Sequence, residues 1–463
     1  MAPRDMSENI EPTDTEQIQK IHLLVHALDE PVAMMSQGLH RSIKPLESLC
    51  VQLHKYPWLA GSAVKQGAIS KIMLVRRSCD DDAVALLVRE CLSLLGHHDP
   101  PPGRGPRVLS IDGGGMRGII ALEMLKAIED GTGQPIHKLF DLICGVSTGA
   151  ILAAFLGFKK MSLEDIEKIY NEMGQRIFKQ NILDGAKGFV VSHSYYNSNL
   201  FEEILQELCG PYHLIDASRT KDTPKLAIVS TEVSEDRVSP YVFRSYVLPR
   251  KTHTSYNGNC YHPIWAAIRA STAAPGYFDD FILDGMVFQD GGVLSNNATQ
   301  IAIHEAYKIW PDKPLQCVIS LGLGRTDKFM QKTGLGRTDK FMQKPTNITH
   351  TKSEVNKLSL RQKFARIIDS ATDTELVHLT LQDLMQHRGT YYRFNPYLQE
   401  FPELDEIRPK KFAMMKESTR MYLRRNQRKI NDASYQLTKS KLPHHHLMNY
   451  LNDRREILRA QLL

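Results

Sequence analysis

The sequence has no Cys-x-x-Cys pair, and its seven cysteines (Cys50, Cys79, Cys91, Cys144, Cys209, Cys260 and Cys317) are odd in number and widely scattered. That pattern speaks against a zinc site and against a disulfide framework, and it fits a reducing compartment. No loop of the D-x-[DN]-x-[DN]-G kind occurs, which excludes an EF-hand calcium site. Membrane-spanning runs are lacking too. Leu142 to Phe158 holds 17 uncharged residues, short of the roughly 20 that a spanning helix needs. Gly145, Ser147, Thr148 and Gly149 in its middle read instead as a turn between a buried strand and a buried helix. The N-terminus has neither the apolar core of a secretory signal nor the acid-poor character of a transit peptide. The expectation is a protein that is not secreted and whose membrane contact is peripheral.

What is present is an average globular mixture: 463 residues, 42% hydrophobic and 24% charged. That length has room for two or three domains. Lys and Arg number 58 against 52 Asp and Glu, a net +6. The charge is unevenly placed. Residues 408–463 contain 14 basic and 4 acidic residues, a local +10, which leaves −4 for the rest. Such a segment suits an anionic partner, nucleic acid or anionic lipid.

Along the chain, residues 1–15 are polar and are expected to be disordered. Apolar residues at helical spacing, such as Ile21, Leu24, Val25 and Leu28, predict a helical module over 16–97. The Pro/Gly-rich stretch 98–106 reads as a linker. An α/β pattern then begins, with strands expected at Arg107–Ile111, Leu142–Cys144, Lys225–Ser230, Tyr241–Phe243, Val287–Phe288 and Leu315–Ser320. Helices are expected from about Gly118 to Asp130, Thr148 to Gly157, Arg361 to Gln386 and Lys410 to Ile430. This alternation implies a mainly parallel sheet covered on both faces. The expected divisions are a core over 107–303, its C-terminal part over 304–407, and a basic helical tail over 408–463. A 12-residue segment, Gly322 to Thr333, is repeated at once as Gly334 to Pro345 with only the last position changed; the second copy reads as an extension of a surface loop.

Three motifs carry chemistry. Asp112-Gly-Gly-Gly-Met-Arg-Gly118 follows a strand and opens a helix. It contains G-x-G-x-x-G, but the acidic residue that a dinucleotide site wants about 20 positions on is missing, since position 138 is Lys. The loop instead offers unhindered N–H groups at a helix N-terminus, suited to an anion. Gly145-Val-Ser-Thr-Gly149, again between a strand and a helix, has the form of a nucleophile elbow that lifts the Ser147 hydroxyl out of the sheet. A serine needs a base. None of His304, His350, His378 and His387 sits in a glycine-rich loop at a strand end, and His304 reads as structural. Asp290-Gly-Gly292 does end a strand-like stretch, with Asp284-Gly285 as a rival; for either, the plain alternative is an Asp-Gly turn.

Together these motifs resemble the patatin-like phospholipase family. Leu109-Ser-Ile-Asp-Gly-Gly-Gly115, Phe140 to Leu152, Ala267-Ile-Arg-Ala-Ser-Thr-Ala-Ala-Pro-Gly-Tyr-Phe278, Ser370 to Glu375 and Tyr392-Arg-Phe-Asn-Pro396 are similar to its calcium-independent gamma branch. The likeness covers about residues 107 to 400. It implies a patatin-like three-layer α/β sandwich behind the small all-helical module. It further implies Ser147 as nucleophile, Asp290 as general base in a dyad without histidine, and an oxyanion hole from Gly113, Gly114 and Gly115. Gly145 and Gly149 would flank the elbow, and Arg117 would orient the loop or a phosphate. The implied activity is calcium-independent hydrolysis of glycerophospholipid acyl esters. A lysophospholipase, a neutral-lipid lipase or an acyltransferase would be relatives of it using the same dyad. No metal or other cofactor is implied, and the partner is a lipid surface rather than nucleic acid. By resemblance the place is intracellular, peripheral to endoplasmic reticulum, mitochondrial or peroxisomal membranes. The mixed apolar and basic stretch Phe412 to Ile430 could supply that contact, each basic residue adding about 1 kcal/mol at an anionic surface.

Overall fold

The computed structural model describes residues 13–29, 43–78, 81–179, 195–250, 252–325, 374–385 and 389–461. Most of the duplicated segment, the N-terminal part of the helix expected from Arg361, and both His350 and His387 lie outside them. One correction concerns residues 13–15, which do not belong to a disordered start: the helix Asp14–Ala27 begins there, with Thr13 and Glu16 forming a capping box.

Eight strands form one sheet: β1 (Arg107–Ile111), β2 (Leu142–Val146), β3 (Lys225–Glu232), β4 (Ser239–Arg244), β5 (Phe281–Leu283), β6 (Met286–Asp290), β7 (Cys317–Leu321) and β8 (Tyr391–Phe394). β1, β2, β3, β7 and β8 pair in parallel, while β4, β5 and β6 add antiparallel pairs at one side. β1, β2 and β7 are buried along their whole length because both faces of the sheet are covered. Along β1 and β2 the side chains alternate between two cores. Leu109, Ile111 and Ile143 meet the helices Gly118–Thr132, Thr148–Ala153 and Leu163–Phe178. Val108, Leu142, Cys144 and Val146 meet the helix Thr299–Ile309 on the other face. The result is a three-layer α/β sandwich.

The uncharged stretch from Leu142 is β2 followed by a buried helix that ends in a π-turn, Ala154–Phe158. Among the described residues no helix is long and apolar enough to cross a membrane. The N-terminal helices enclose a separate core, to which Ile215 and Cys260 of the α/β part contribute. The Pro/Gly stretch is fastened at several points. His98 Nε2 bonds Val247 O (2.8 Å), Trp310 Nε1 donates to Asp99 O (2.9 Å), and Arg104 N donates to Gln316 Oε1 (2.5 Å).

The basic stretch is helical, as Pro409–Arg425, Gln427–Thr438 and Pro443–Gln461. Its Met415, Leu423, Ile430 and Leu437 are part of the main core. Lys416 and Arg420 pair with Glu167 and Glu123, whereas Arg424, Arg425 and Arg428 are exposed.

Candidate active site

Register on β3 assembles the site. The last residue of β2, Val146, pairs with Val229, and the last residue of β6, Asp290, pairs with Ser230. β4 occupies the opposite edge of β3 over the same residues. β2 and β6 therefore share one edge of β3 and end there facing each other, from opposite directions. The residue after β2 is Ser147, and its Oγ donates to Asp290 Oδ2 at 2.6 Å.

Ser147 is held at φ 54° and ψ −120°, a left-handed conformation that a side chain adopts only under constraint. The constraint is close packing on both sides. A Cβ on Gly145 would stand 2.1 Å from Gly149 O, and one on Gly149 2.2 Å from Ile111 O. Both positions require glycine. A residue absent from the sequence-based site also acts here: Ser271 Oγ accepts the Ser147 N–H (2.8 Å) and donates to Val229 O (2.6 Å). Ser271 is fully buried at the end of the helix Ile264–Ser271. The only trace of it in the sequence is its place in the Ala267–Phe278 stretch.

Asp290 is anchored apart from the serine. Its Oδ1 accepts the Gly292 N–H (2.7 Å), its N–H donates to Ala273 O (2.8 Å), and its carbonyl accepts from Thr231 Oγ1 (3.0 Å). Burial raises its carboxyl to about 6, against the opposing pull of the hydrogen bonds from Ser147 and Gly292. The rival, Asp284, forms with Gly285 the two-residue turn between β5 and β6, both at positive φ (51° and 80°). That is the plain hairpin role.

Among the described residues no histidine hydrogen-bonds to Ser147 or Asp290. His304 bonds Thr254 Oγ1 (3.0 Å) and packs edge-on against Tyr256, beside the other core. His378 bonds Tyr391.

The glycine loop lies against the serine: a Cβ on Gly113 would stand 3.0 Å from Ser147 Cβ. The amides of Gly113, Gly114 and Gly115 differ in their partners. The Gly113 N–H is committed to Asn296 Oδ1 (3.0 Å). Among the described residues the N–H groups of Gly114 and Gly115 have no such acceptor, so the loop offers two donors. Its carbonyls are pinned instead. Arg117, buried, donates from Nε to Gly114 O (3.0 Å) and stacks over Phe401 (4.1 Å). Tyr170 Oη bonds both Gly115 O and Thr148 Oγ1. Asp112, at the start of the loop, is locked in a buried bidentate pair with Arg393 (2.6 and 2.9 Å), and Arg393 also donates to Ser320 Oγ (2.9 Å). Tyr170, Asn296 and Arg393 come from distant parts of the chain and have no local signature.

Ser147, Asp290 and the glycine loop open on one cleft of about 790 Å³, its mouth included. Its walls are largely apolar: Ile151, Met173, Ile177, Phe178, Phe201, Phe278 and Leu404. Such a cleft suits a hydrocarbon chain.

Comparisons with known proteins point the same way. Residues 109–303 match the patatin-like phospholipase family. Calcium-independent phospholipase A2-gamma of Mus musculus is 38% identical over 422 residues, covering 90% of this chain and 51% of that protein. Phospholipase A I of Arabidopsis thaliana is 33% identical over 475 residues, covering 86% of this chain and 34% of its own length. The 85/88 kDa calcium-independent phospholipase A2 of Mus musculus is 31% identical over 241 residues, 47% of this chain and 27% of that one. The chain thus spans about half the length of the gamma relative. With a three-layer sheet and a strained Ser147 at the end of β2, residues 109–303 form a domain of the patatin-like phospholipase family.

Proposed function

We propose that this protein is a calcium-independent phospholipase of the A type, hydrolysing acyl esters of glycerophospholipids through a Ser147–Asp290 dyad. The observation that carries the reading is the 2.6 Å hydrogen bond between a constrained serine and a buried carboxylate, both lining a largely apolar cleft. The names of the relatives agree with it.

In the first half-reaction Asp290 takes the Ser147 proton as Oγ adds to the ester carbonyl. The tetrahedral oxyanion is met by the N–H groups of Gly114 and Gly115, each donor worth about 3 kcal/mol. The proton on Asp290 passes to the leaving alkoxide as the C–O bond breaks, and lysophospholipid departs from an acyl-Ser147. In the second half, Asp290 draws a proton from water, hydroxide adds to the acyl carbon, and fatty acid leaves as the serine regains its proton. A carboxyl near 6 is ionised at neutral pH yet more basic than an ordinary aspartate, which suits a general base. Amides and a carboxylate together supply the electrophile and the base that this sequence of steps needs, and no calcium is required.

The substrate is a bilayer lipid, so the enzyme works as a peripheral protein at a membrane surface; exposed Arg424, Arg425 and Arg428 are the basic side chains available for an anionic one. The test is hydrolysis of phosphatidylcholine vesicles in excess chelator. The wild type is expected to be active, with Ser147→Ala and Asp290→Asn lowered by several orders of magnitude. Full activity in either variant refutes the dyad, and loss of wild-type activity with chelator refutes calcium independence.

A further inference from the structure

The dyad and its cleft use nothing from the N-terminal helices, yet these hold a group of metal-ligating side chains. Cys50 and His54 stand four residues apart on the helix Ile43–Lys55, so both face the same neighbour. That neighbour is the helix Asp82–Leu94, which brings in Glu90 and Cys91. The Cys50 Sγ, a ring nitrogen of His54 and a carboxylate oxygen of Glu90 all lie within 4.8 Å of one another. The buried Cys91 follows Glu90 on the same helix, and its thiol donates to Leu46 O (3.6 Å). Cys50, Glu90 and Cys91 are buried, while the His54 side chain is 34% exposed and leaves a way in.

We propose that Cys50, His54 and Glu90 form a structural zinc site, whose fourth ligand is the neighbouring Cys91 once its thiol turns from Leu46 O towards the ion. Two thiolates and an imidazole select a borderline ion with tetrahedral preference, and zinc is the common one. Calcium or magnesium would find a single protein carboxylate where they want a shell of oxygens. The charges balance: two thiolates and one carboxylate around a divalent ion leave −1, and the Arg219 guanidinium returns it to zero. Arg219 grips the carboxylate with Nε to Oε2 at 2.7 Å and Nη2 to Oε1 at 2.9 Å. Ligating carboxylates are usually held by such a partner.

His54 Nε2 is 2.7 Å from Glu90 Oε1. Admitting a tetrahedral ion widens that contact by roughly half an ångström, a side-chain adjustment. On binding, both thiols release their protons to solvent. The ion would clamp the two helices to each other and, through Arg219, to the α/β part. Scattered cysteines made a zinc site look excluded in the sequence, because the pattern that matters here is Cys-x-x-x-His on one helix turn with Glu-Cys 36 residues beyond the histidine.

The test uses the full chain purified without a polyhistidine tag. Elemental analysis is expected to find about one zinc per chain. Exchange for Co²⁺ is expected to give thiolate-to-cobalt charge-transfer absorption with the visible bands of tetrahedral cobalt. Both are expected to vanish in Cys50→Ser and in His54→Gln while far-ultraviolet circular dichroism is retained. Should those variants fail to fold, the wild-type metal content and cobalt spectrum decide alone. Zinc far below stoichiometry, together with no cobalt spectrum in metal excess, overturns the proposal and leaves a hydrogen-bonded cluster only. Neither readout depends on ester hydrolysis, so the site and the proposed activity fail separately.

Discussion

Replacing Asp290 by Asn is expected to remove activity and at the same time stabilise the protein at pH 8. Burial lifts this carboxyl from an ordinary 3.8 to about 6, so above pH 6 the folded state holds a charge that it solvates worse than the unfolded chain does. A difference of about 2 pH units corresponds to about 3 kcal/mol. Because the folded state binds the proton more tightly, stability falls as pH rises from about 4 through 6 and is lowest above that. Asn is a neutral replacement of the same shape. Its oxygen can accept from Gly292 N–H, and its NH₂ can donate to Ser147 Oγ, in place of the two bonds observed. The variant is therefore expected to exceed the wild type by up to about 3 kcal/mol at pH 8, with the advantage shrinking towards zero as pH falls to 4. Urea unfolding of both proteins at several pH values measures this. A variant less stable than the wild type at pH 8, or an advantage that does not change with pH, refutes the reasoning.

Three further outcomes are expected. The kcat/KM of ester hydrolysis should fall on the acid side with an apparent pKa near 6, since protonated Asp290 cannot take the Ser147 proton; a profile flat down to pH 4.5 contradicts the assignment of the base. Ser271→Ala strips the Ser147 N–H of its acceptor, which should lower kcat by about 10-fold or more with little change in KM, given about 1–3 kcal/mol for an orphaned buried donor; an effect confined to KM would count against a role in shaping the elbow. Arg393→Met leaves Asp112 buried and unpaired beneath the glycine loop, and chemical unfolding should show a loss of about 3–5 kcal/mol. A loss under 1 kcal/mol would mean that the pair does not hold the loop.

The parts legible in the sequence are those fixed by local backbone demands. Gly145 and Gly149 flank a turn that only glycines fit, and Asp290 stands where an apolar strand meets two glycines, so both motifs announce strand ends. The sequence could not say that these ends share an edge of β3. That depends on the register of three strands whose paired residues lie more than 50 positions apart. The same distance hides Ser271, Asn296, Tyr170 and Arg393, each reaching the site across the fold with an ordinary local context. The asymmetry of the glycine loop was invisible for that reason: Gly113 looks like its neighbours until Asn296, 183 residues on, takes its N–H. The period of the apolar and basic stretch from Phe412 to Ile430 serves a membrane surface and a core equally, so the sequence does not tell which of its apolar residues are buried. Met415, Leu423 and Ile430 went to the core.

The central claim is that Ser147 is made nucleophilic by a carboxylate alone, and active-site labelling tests it most directly. A fluorophosphonate probe, followed by peptide mapping, is expected to modify Ser147 and no other serine. The rate should fall steeply in Asp290→Asn and stay near wild type in His304→Ala. An adduct at another residue, or labelling of Ser147 that is indifferent to Asp290 but lost with a histidine, contradicts the account.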